Sequence, residues 1–307
     1  MSILVTGGAG FIGSNFLHHL VTVTDEEIVC IDKLTYAANW RYIPDNIKFY
    51  TIDIASKSAC DTIFKRHKIK TVFHFAAESH VDNSIKDCSP FIHSNIVGTV
   101  SLLDLALKHE VDKFIHISTD EVYGSLDPDE HAFTETNAFE PNSPYSASKA
   151  SSDHLVRAWF HTYGLPVVTT NCSNNYGPRQ HKEKFIPTII SKAMKNEKIP
   201  VYGNGMNVRD WLYVDDHCEA ICDVLAKGKL GQKYNIGGNN EISNIELAKK
   251  ILQLMGKPES LIEYVTDRPG HDFRYSIDNS KIVNELNWSP STDFDAGLLR
   301  TIEYYMG

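Results

Sequence analysis

The 307-residue sequence contains no CxxC pair; its six cysteines (Cys30, Cys60, Cys88, Cys172, Cys218 and Cys222) are scattered. That pattern fits a reducing, cytoplasmic compartment, with Cys218 and Cys222 read as two small core residues one helical turn apart. The 14 histidines show no HExxH or other ligating spacing, so no metal is expected. No basic run offsets the net charge of −9, which sets the surface against nucleic acid and acidic membranes. No apolar run is read as long enough to cross a bilayer, and the first residues read as a buried strand, not a leader peptide. Internal repeats and low-complexity tracts are missing as well.

What is present supports a folded enzyme. With 42% hydrophobic residues, the chain can bury one large core, or a core plus a dependent lobe. Short apolar runs at Ile3–Val5, Ile28–Ile31, Ile47–Thr51, Thr71–Phe75, Phe114–Ile117 and Val167–Thr170 read as buried parallel strands. Helical spacing separates some of them, as in Ile96–Lys108. This alternation predicts an α/β fold with a doubly wound parallel sheet over residues 1–170. From residue 171 to 307, loops such as Asn174–Pro178 and Tyr202–Gly205 predict a smaller, loop-rich lobe, some segments of which can return to the first. Helices are expected near Asp215–Lys227, Asn244–Met255 and Phe294–Tyr305. No flexible linker separates the halves, so a ligand cleft between them is expected.

Gly7-Gly8-Ala9-Gly10-Phe11-Ile12-Gly13 follows the first strand and opens the first helix. Glycines there allow a tight turn and close approach of a pyrophosphate to free helix N–H groups. Asp32 ends the next strand; an acid at that place binds ribose hydroxyls and repels a 2′-phosphate, favouring NAD over NADP. Asp53 follows the third strand, where it either borders the adenine pocket or caps a helix. Phe75-Ala76-Ala77 ends the fourth strand with small residues that let the backbone pass near a cofactor.

Tyr145-Ser146-Ala147-Ser148-Lys149 places a tyrosine and a lysine on one helix face. A nearby ammonium and a helix N-terminus should lower the phenol pKa and make a general base. Thr119-Asp120-Glu121 follows the strand ending at Ile117, putting two acids at the carboxyl edge of the sheet. Acids crowded together separate their proton affinities, so that one donates while the other accepts.

These motifs, with Asp32–Ala37, Ala76–Asp82, Asn171–Pro178, Val208–Trp211, Tyr234–Gly238 and Asp267–Asp272, resemble the dTDP-glucose 4,6-dehydratases. These are Rossmann-like enzymes of the extended short-chain dehydrogenase/reductase family. The resemblance implies dehydration of dTDP-glucose to dTDP-4-dehydro-6-deoxy-glucose, with a retained NAD recycled at each turnover. Tyr145 would deprotonate the sugar 4-hydroxyl, with Thr119 and Lys149 assisting. Glu121 would take the proton from carbon 5, and Asp120 would protonate the departing 6-hydroxyl. A dehydratase acting on UDP-glucose, or a sugar-nucleotide 4-epimerase, is the alternative; the epimerase has no need of an acid at Asp120.

Matching positions imply cofactor contacts from Gly7, Gly10, Phe11, Ile12 and Gly13, and from Asp32, Lys33, Leu34 and Thr35. Asp53, Ile54, Phe75, Ala76, Ala77, Glu78 and Ser79 continue that set. Tyr145, Lys149 and Asn175 complete it, with Ser94 near the nicotinamide side. For the substrate they imply Ser79, Thr119 and Asn174 near the sugar, and Arg209 on a phosphate. Lys184, Phe185, Pro200, Val201 and Tyr202 would form a base pocket. Asn235 with Asp267, Arg268, Pro269, Gly270 and His271 would close the far side. The resemblance also implies a homodimer. The chain departs from the pattern at Asn83 for arginine, Ala38 for glycine and Lys182 for proline, all at the cleft rim or periphery.

Overall fold

The computed structural model describes residues 2–307. The first half runs β1 (Ser2–Thr6), α1 (Phe11–Val23), β2 (Glu27–Asp32), β3 (Lys48–Thr51), α2 (Lys57–His67), β4 (Ile69–His74) and α3 (Val81–Lys86). A long helix follows in three stretches: α4 (Ser89–Phe91), a π-helical segment (Ile92–Gly98) and α5 (Thr99–Lys108). Then come β5 (Lys113–Thr119), α6 (Pro144–Tyr163) and β6 (Val167–Cys172).

The rest comprises β7 (Asn174–Tyr176), α7 (Phe185–Met194), β8 (Ile199–Tyr202), β9 (Val208–Tyr213), α8 (Val214–Lys227) and β10 (Lys233–Ile236). It ends with β11 (Glu241–Ser243), α9 (Asn244–Leu254), β12 (Ile262–Val265), α10 (Ser280–Leu286) and α11 (Phe294–Met306).

Seven strands form one parallel sheet in the order β10-β6-β5-β4-β1-β2-β3. Their apolar runs exist because both faces are covered. Alternate residues Leu4, Val29, Ile31, Val72 and Phe114 face Phe64 of α2, Leu102 and Leu103 of α5, and Val156 of α6. The intervening Ile3, Val5, Cys30, Phe73 and Ile115 face Phe16, Leu17 and Leu20 of α1, with Ile221 and Val224 of α8. After β1 the chain builds outward through β2 and β3, then crosses back to lay β4 on the other side of β1. That reversal opens a crevice at the carboxyl ends of β1 and β4.

The smaller lobe has its own core, made by Ile186, Ile189 and Ile190 of α7, Leu247 and Ile251 of α9, Leu298 and Ile302 of α11, and Val201 and Trp211. Its strands form a three-stranded sheet, β11-β9-β7, and a pair, β12-β8. Asn174–Tyr176, expected as loop, is strand, because Asn174, Asn175 and Tyr176 pair with Trp211, Leu212 and Tyr213 of β9. Strand β10 and helix α8, both beyond residue 171, join the large sheet and pack on α1.

Ser89–Lys108 is a 20-residue helix whose most apolar 18-residue window has a mean hydropathy of 1.3, enough to cross a membrane by length and composition alone. Its burial against the sheet and α6 explains that character: Phe91, Leu102, Leu103, Leu105 and Ala106 are core residues. The helix also begins earlier than the expected Ile96, with Pro90 in its first turn.

The carboxylate of Asp216, buried at the start of α8, accepts from Ser291 Oγ (3.0 Å), Thr292 N (3.0 Å) and Thr292 Oγ1 (3.0 Å), fastening the chain that leads into α11. Asp216→Ala would leave three donors without their anion and is expected to cost about 2–3 kcal/mol. A lowered denaturant midpoint checks this; an unchanged midpoint would show that the tie contributes nothing.

Candidate active site

The glycine turn sits at the crevice. Gly7 has φ +72°, and a Cβ there would lie 2.6 Å from Ala76 N at the end of β4. A Cβ on Gly13 would lie 2.3 Å from the Gly7 carbonyl oxygen. Both positions therefore require glycine, and α1 starts from Gly10 with no side-chain cap on its first N–H groups. That leaves a helix N-terminus open to an anion.

Asp32 is buried at the end of β2. Its carboxylate accepts from Ala9 N (3.0 Å) and Leu34 N (2.8 Å), so it ties the glycine turn to the next loop, where Leu34 is left-handed. Burial raises its pKa against those two hydrogen bonds. Asp32, Lys33, Thr35, Ile54, Ala76, Ala77, Glu78 and Ser94 line a small cavity of about 40 Å³. Lys33 spans it, donating to Ser94 Oγ (3.0 Å) and pairing with Glu78 (3.2 Å). Ser94 thus lines the crevice at its Asp32 end. Asp53 is not the cap of α2, which is Ser56; it accepts from Ala55 N (2.9 Å) and lies outside both cavities.

The cavity at the crevice, about 260 Å³, joins Gly7, Gly10, Phe11, Ile12, Gly13, Phe75, Ser79, Thr119, Asp120, Glu121, Tyr145, Lys149, Asn174, Asn175 and Lys184. Two local structures aim the chemistry into it. Thr119 caps the turn after β5 by accepting from Glu121 N (3.3 Å), which points both acids past the sheet edge. Ser143 and Ser146 form a reciprocal capping box, with Pro144 in the first turn, so α6 begins one residue before Tyr145. Lys149 then falls one turn on, donating to the Ile117 carbonyl at 2.8 Å.

Burial raises Asp120 well above the ordinary carboxylate range, and the Glu121 and Asp210 charges add to it. Its Oδ1 accepts from Thr119 (3.2 Å), while Oδ2 is buried without a partner. Burial also raises Glu121, against the charges of Arg268, Lys184 and Arg209. The expected lowering of Tyr145 is not what the structure gives. Burial holds the phenol well above its usual value, the Glu121 charge adds to that, and the Thr119 hydroxyl opposes it. Desolvation outweighs the helix end, and the acids raise the phenol further.

On the substrate side, Lys184 reaches across the cavity to the Ser79 carbonyl (2.8 Å). Arg209 is buried over the Tyr275 ring (4.2 Å) and donates to the Val208, Asp272 and Phe273 carbonyls. Tyr202 Oη donates to Asp82 (3.1 Å), and Arg268 pairs with that acid (3.1 Å). Asp267 accepts from His271 (2.6 Å), with Pro269 and Gly270 between them on the rim. None of Phe185, Pro200, Val201, Tyr202, Arg209, Asn235 and Asp267–His271 lines the cavity. Val201 is buried in the smaller lobe's core; Phe185 packs against that core and Pro200 flanks Val201 in β8. Asn235 is turned inward, accepting from Tyr123 Oη (2.9 Å) and donating to the Phe133 carbonyl (2.9 Å).

The chain matches the GDP-mannose 4,6 dehydratase family over residues 4–301. It is 49% identical to a dTDP-glucose 4,6-dehydratase of Haemophilus influenzae over 100% of this chain and 98% of that one. The chain belongs to the dTDP-glucose 4,6-dehydratase family. The Streptomyces venezuelae dTDP-glucose 4,6-dehydratase, solved with NAD bound, has a TM-score of 0.97 at 44% identity, covering 100% of this chain and 97% of that one. A UDP-glucose 4-epimerase of Thermotoga maritima reaches 0.94 at 30% identity, covering 100% and 99%. The shared fold therefore does not choose the reaction within the 4,6-dehydratase and epimerase group; the site does.

Within this dehydratase-family cleft, the sequence reading missed Gln180, His181, Glu183, Cys172 and Ser173, which also line the cavity at the crevice. Arg179 is left-handed, and the segment after it folds back over the crevice, where Glu183 accepts from Tyr36 Oη (2.9 Å). Nothing in the local pattern announces that return. Gly7→Ala should push the turn off β4 and weaken NAD binding by about tenfold or more, given the contact at Ala76. Calorimetric titration of cofactor-free protein checks it, and wild-type affinity in the variant would refute the fit.

Proposed function

We propose that the protein dehydrates dTDP-glucose to dTDP-4-dehydro-6-deoxy-glucose, using an NAD that stays bound. The observation that carries this reading is Asp120: a carboxyl buried at 2% exposure, with a free Oδ2, in one cavity with Glu121, Tyr145 and Lys149. NAD fits the glycine turn, because the Gly7 and Gly13 cradle has no room for a Cβ and the α1 N-terminus is uncapped. Asp32, Lys33 and Thr35 would hold its adenosine end, and Tyr145, Lys149 and Asn175 its other end.

When bound, NAD⁺ takes hydride from sugar carbon 4 and the reduced form returns it to carbon 6. Tyr145 receives the 4-hydroxyl proton; the Lys149 ammonium and the Thr119 hydroxyl are the groups of this chain that favour its phenolate. The 4-ketone acidifies the proton on carbon 5, which Glu121 removes. Asp120, kept protonated by burial, gives its proton to the departing 6-hydroxyl, and water leaves. As hydride arrives at carbon 6, Glu121 gives its proton back to carbon 5, and the proton taken by Tyr145 returns to Asp120 by way of solvent. Two neighbouring acids can do opposite jobs because crowding separates their proton affinities. Ser79, Asn174, Lys184, Arg209 and Asp267–His271 bound the side from which the nucleotide sugar would enter.

A homodimer is part of the proposal. Ile85, Ile92 and Val97 expose apolar surface on α3 and the neighbouring π segment (39%, 45% and 48%), both packed beside α6. A cytoplasmic location is supported by six free cysteines.

Purified protein would be given dTDP-glucose or UDP-glucose without added NAD. Loss of one water from the thymidine substrate, read by mass spectrometry, is the expected result. Loss from UDP-glucose alone would change the nucleotide. Loss from neither, with NAD supplied, would overturn the reading. Asp120→Asn should lower turnover by about 10²–10⁴-fold, while reduced nicotinamide still forms on mixing with substrate. Loss of that first oxidation in the variant would deny Asp120 its place in the elimination.

A further inference from the structure

We infer that Asp153, held by His116 and Asn171, is a positioning residue for the reaction: its buried carboxylate is the counter-charge that keeps Lys149 in the cationic form Tyr145 needs. This rests on the dehydratase reading above.

Tyr145, Lys149 and Asp153 follow one another at four-residue intervals and so share one face of α6. All three are buried, at 8%, 5% and 4% exposure. Lys149 has no carboxylate within ion-pair distance among the described residues; its ammonium donates to the Ile117 carbonyl. A buried ammonium without an anion would shed its proton. Asp153 supplies the anion one turn away. It is itself made tolerable by donors on two strands: His116 Nε2 on β5 reaches Oδ1 at 3.1 Å, and Asn171 Nδ2 on β6 reaches Oδ2 at 3.0 Å. An ionised carboxylate only accepts, so Nε2 of His116 carries the proton, leaving its buried Nδ1 without a partner. The strands that form the sheet thus hold a charge fixed under the active site.

The other groups around it do not replace that charge. His74 on β4 and His116 on β5 are pushed down and stay neutral. The Cys172 thiol on β6 is pushed up to about 12, chiefly by burial, and Tyr123 is raised. Asp120 and Glu121, beyond β5, are both raised. On its far side Asp153 borders a cavity of about 420 Å³ that Glu135, His154, Arg157, Lys233 and Lys281 also line, with Lys233 seated 4.4 Å over the Phe139 ring. From α3, the π segment and α5, the buried faces present Ser84, Asn95 and Thr99. Burial lowers Lys149, and Asp153 is the foremost charge opposing that. For Asp153, burial raises the carboxyl but His116 and Lys149 outweigh it, leaving it below the usual range.

The test is the pH profile of turnover of dTDP-glucose by the holoenzyme carrying Asp153→Asn. Removing the anion lowers the proton affinity of Lys149, so the basic limb should move down by about one to two pH units, with KM little changed. The acidic limb, where Lys149 keeps its proton, should not rise. Asp153→Glu should return the basic limb toward wild type. A uniform fall in kcat with the basic limb in place would overturn the inference and leave Asp153 a structural residue. If Asp153→Asn does not fold, Asp153→Ser serves, since it removes the same anion with a smaller side chain. The basic limb should again move down, and an unmoved basic limb would overturn the proposal. Reductive methylation of Lys149 followed against pH reads its protonation without turnover. A wild-type enzyme that fails on dTDP-glucose therefore sinks only the dehydratase reading, whereas an unshifted labelling profile in Asp153→Asn sinks this one.

Discussion

Between the first and fourth strands there is no room for a side chain. Gly7 lies against the backbone at Ala76, and Gly13 against the carbonyl of Gly7. That contact brings the uncapped N-terminus of α1 to the crevice where strand order reverses. It also lets Asp32, one strand over, bind the turn through Ala9 N. If this approach were relaxed, the helix end would swing away from β4, and the two cavities now flanking the turn would no longer share Gly7, Ala76 and Ala77. The cleft depends on that one close approach more than on any single ion pair.

The same sheet carries the chemistry on its opposite half. Strand β5 ends in the Thr119 turn that presents Asp120 and Glu121, and β5 and β6 together grip Asp153 of α6. A helix whose first turn is fixed by the Ser143–Ser146 box can then deliver Tyr145 at a set height over the sheet. The electrostatics follow from this geometry. The acids, the phenol and the ammonium are held in a confined cleft, where burial pushes each toward its neutral form and the few remaining charges act at close range. Asp120 as acid and Glu121 as base are two outcomes of one low-dielectric site, separated by what each faces: Glu121 sees Arg268 and Lys184, while Asp120 sees Glu121 and Asp210.

Much of this was legible in the sequence, for identifiable reasons. Parallel strands covered on both faces must be continuous apolar runs, and β1, β2, β4, β5 and β6 are. The glycine turn, the Asp120-Glu121 pair and the Tyr145–Lys149 spacing are local patterns whose geometry follows from a strand end or a helix period. The substrate side was less legible. Val201 and Asn235 carry side chains whose direction is set by strand registers in β8 and β10, and those registers come from long-range pairing with β12 and β6. Gln180 and Glu183 line the cleft only because a left-handed Arg179 sends the chain back over it. The start of the helix was less legible for a related reason: Ser89–Lys108 mixes Ser, Asn and His into its apolar surface, and only its burial against α6 and the sheet shows what the apolar residues are for.

Tyr145 marks the point where local pattern and tertiary context part company. A tyrosine at a helix start with a lysine four residues on is, by local rules, an acidified phenol. In the folded chain its ammonium neighbour is turned to the Ile117 carbonyl, and the acids raise the phenol. Acidifying the phenol therefore depends on how firmly Lys149 stays charged in a dry site. That makes the reach of the catalytic unit longer than the two-residue motif. It extends through Asp153 to His116 in the middle of the sheet, where a strand residue with no access to substrate helps decide whether the first proton can leave the sugar.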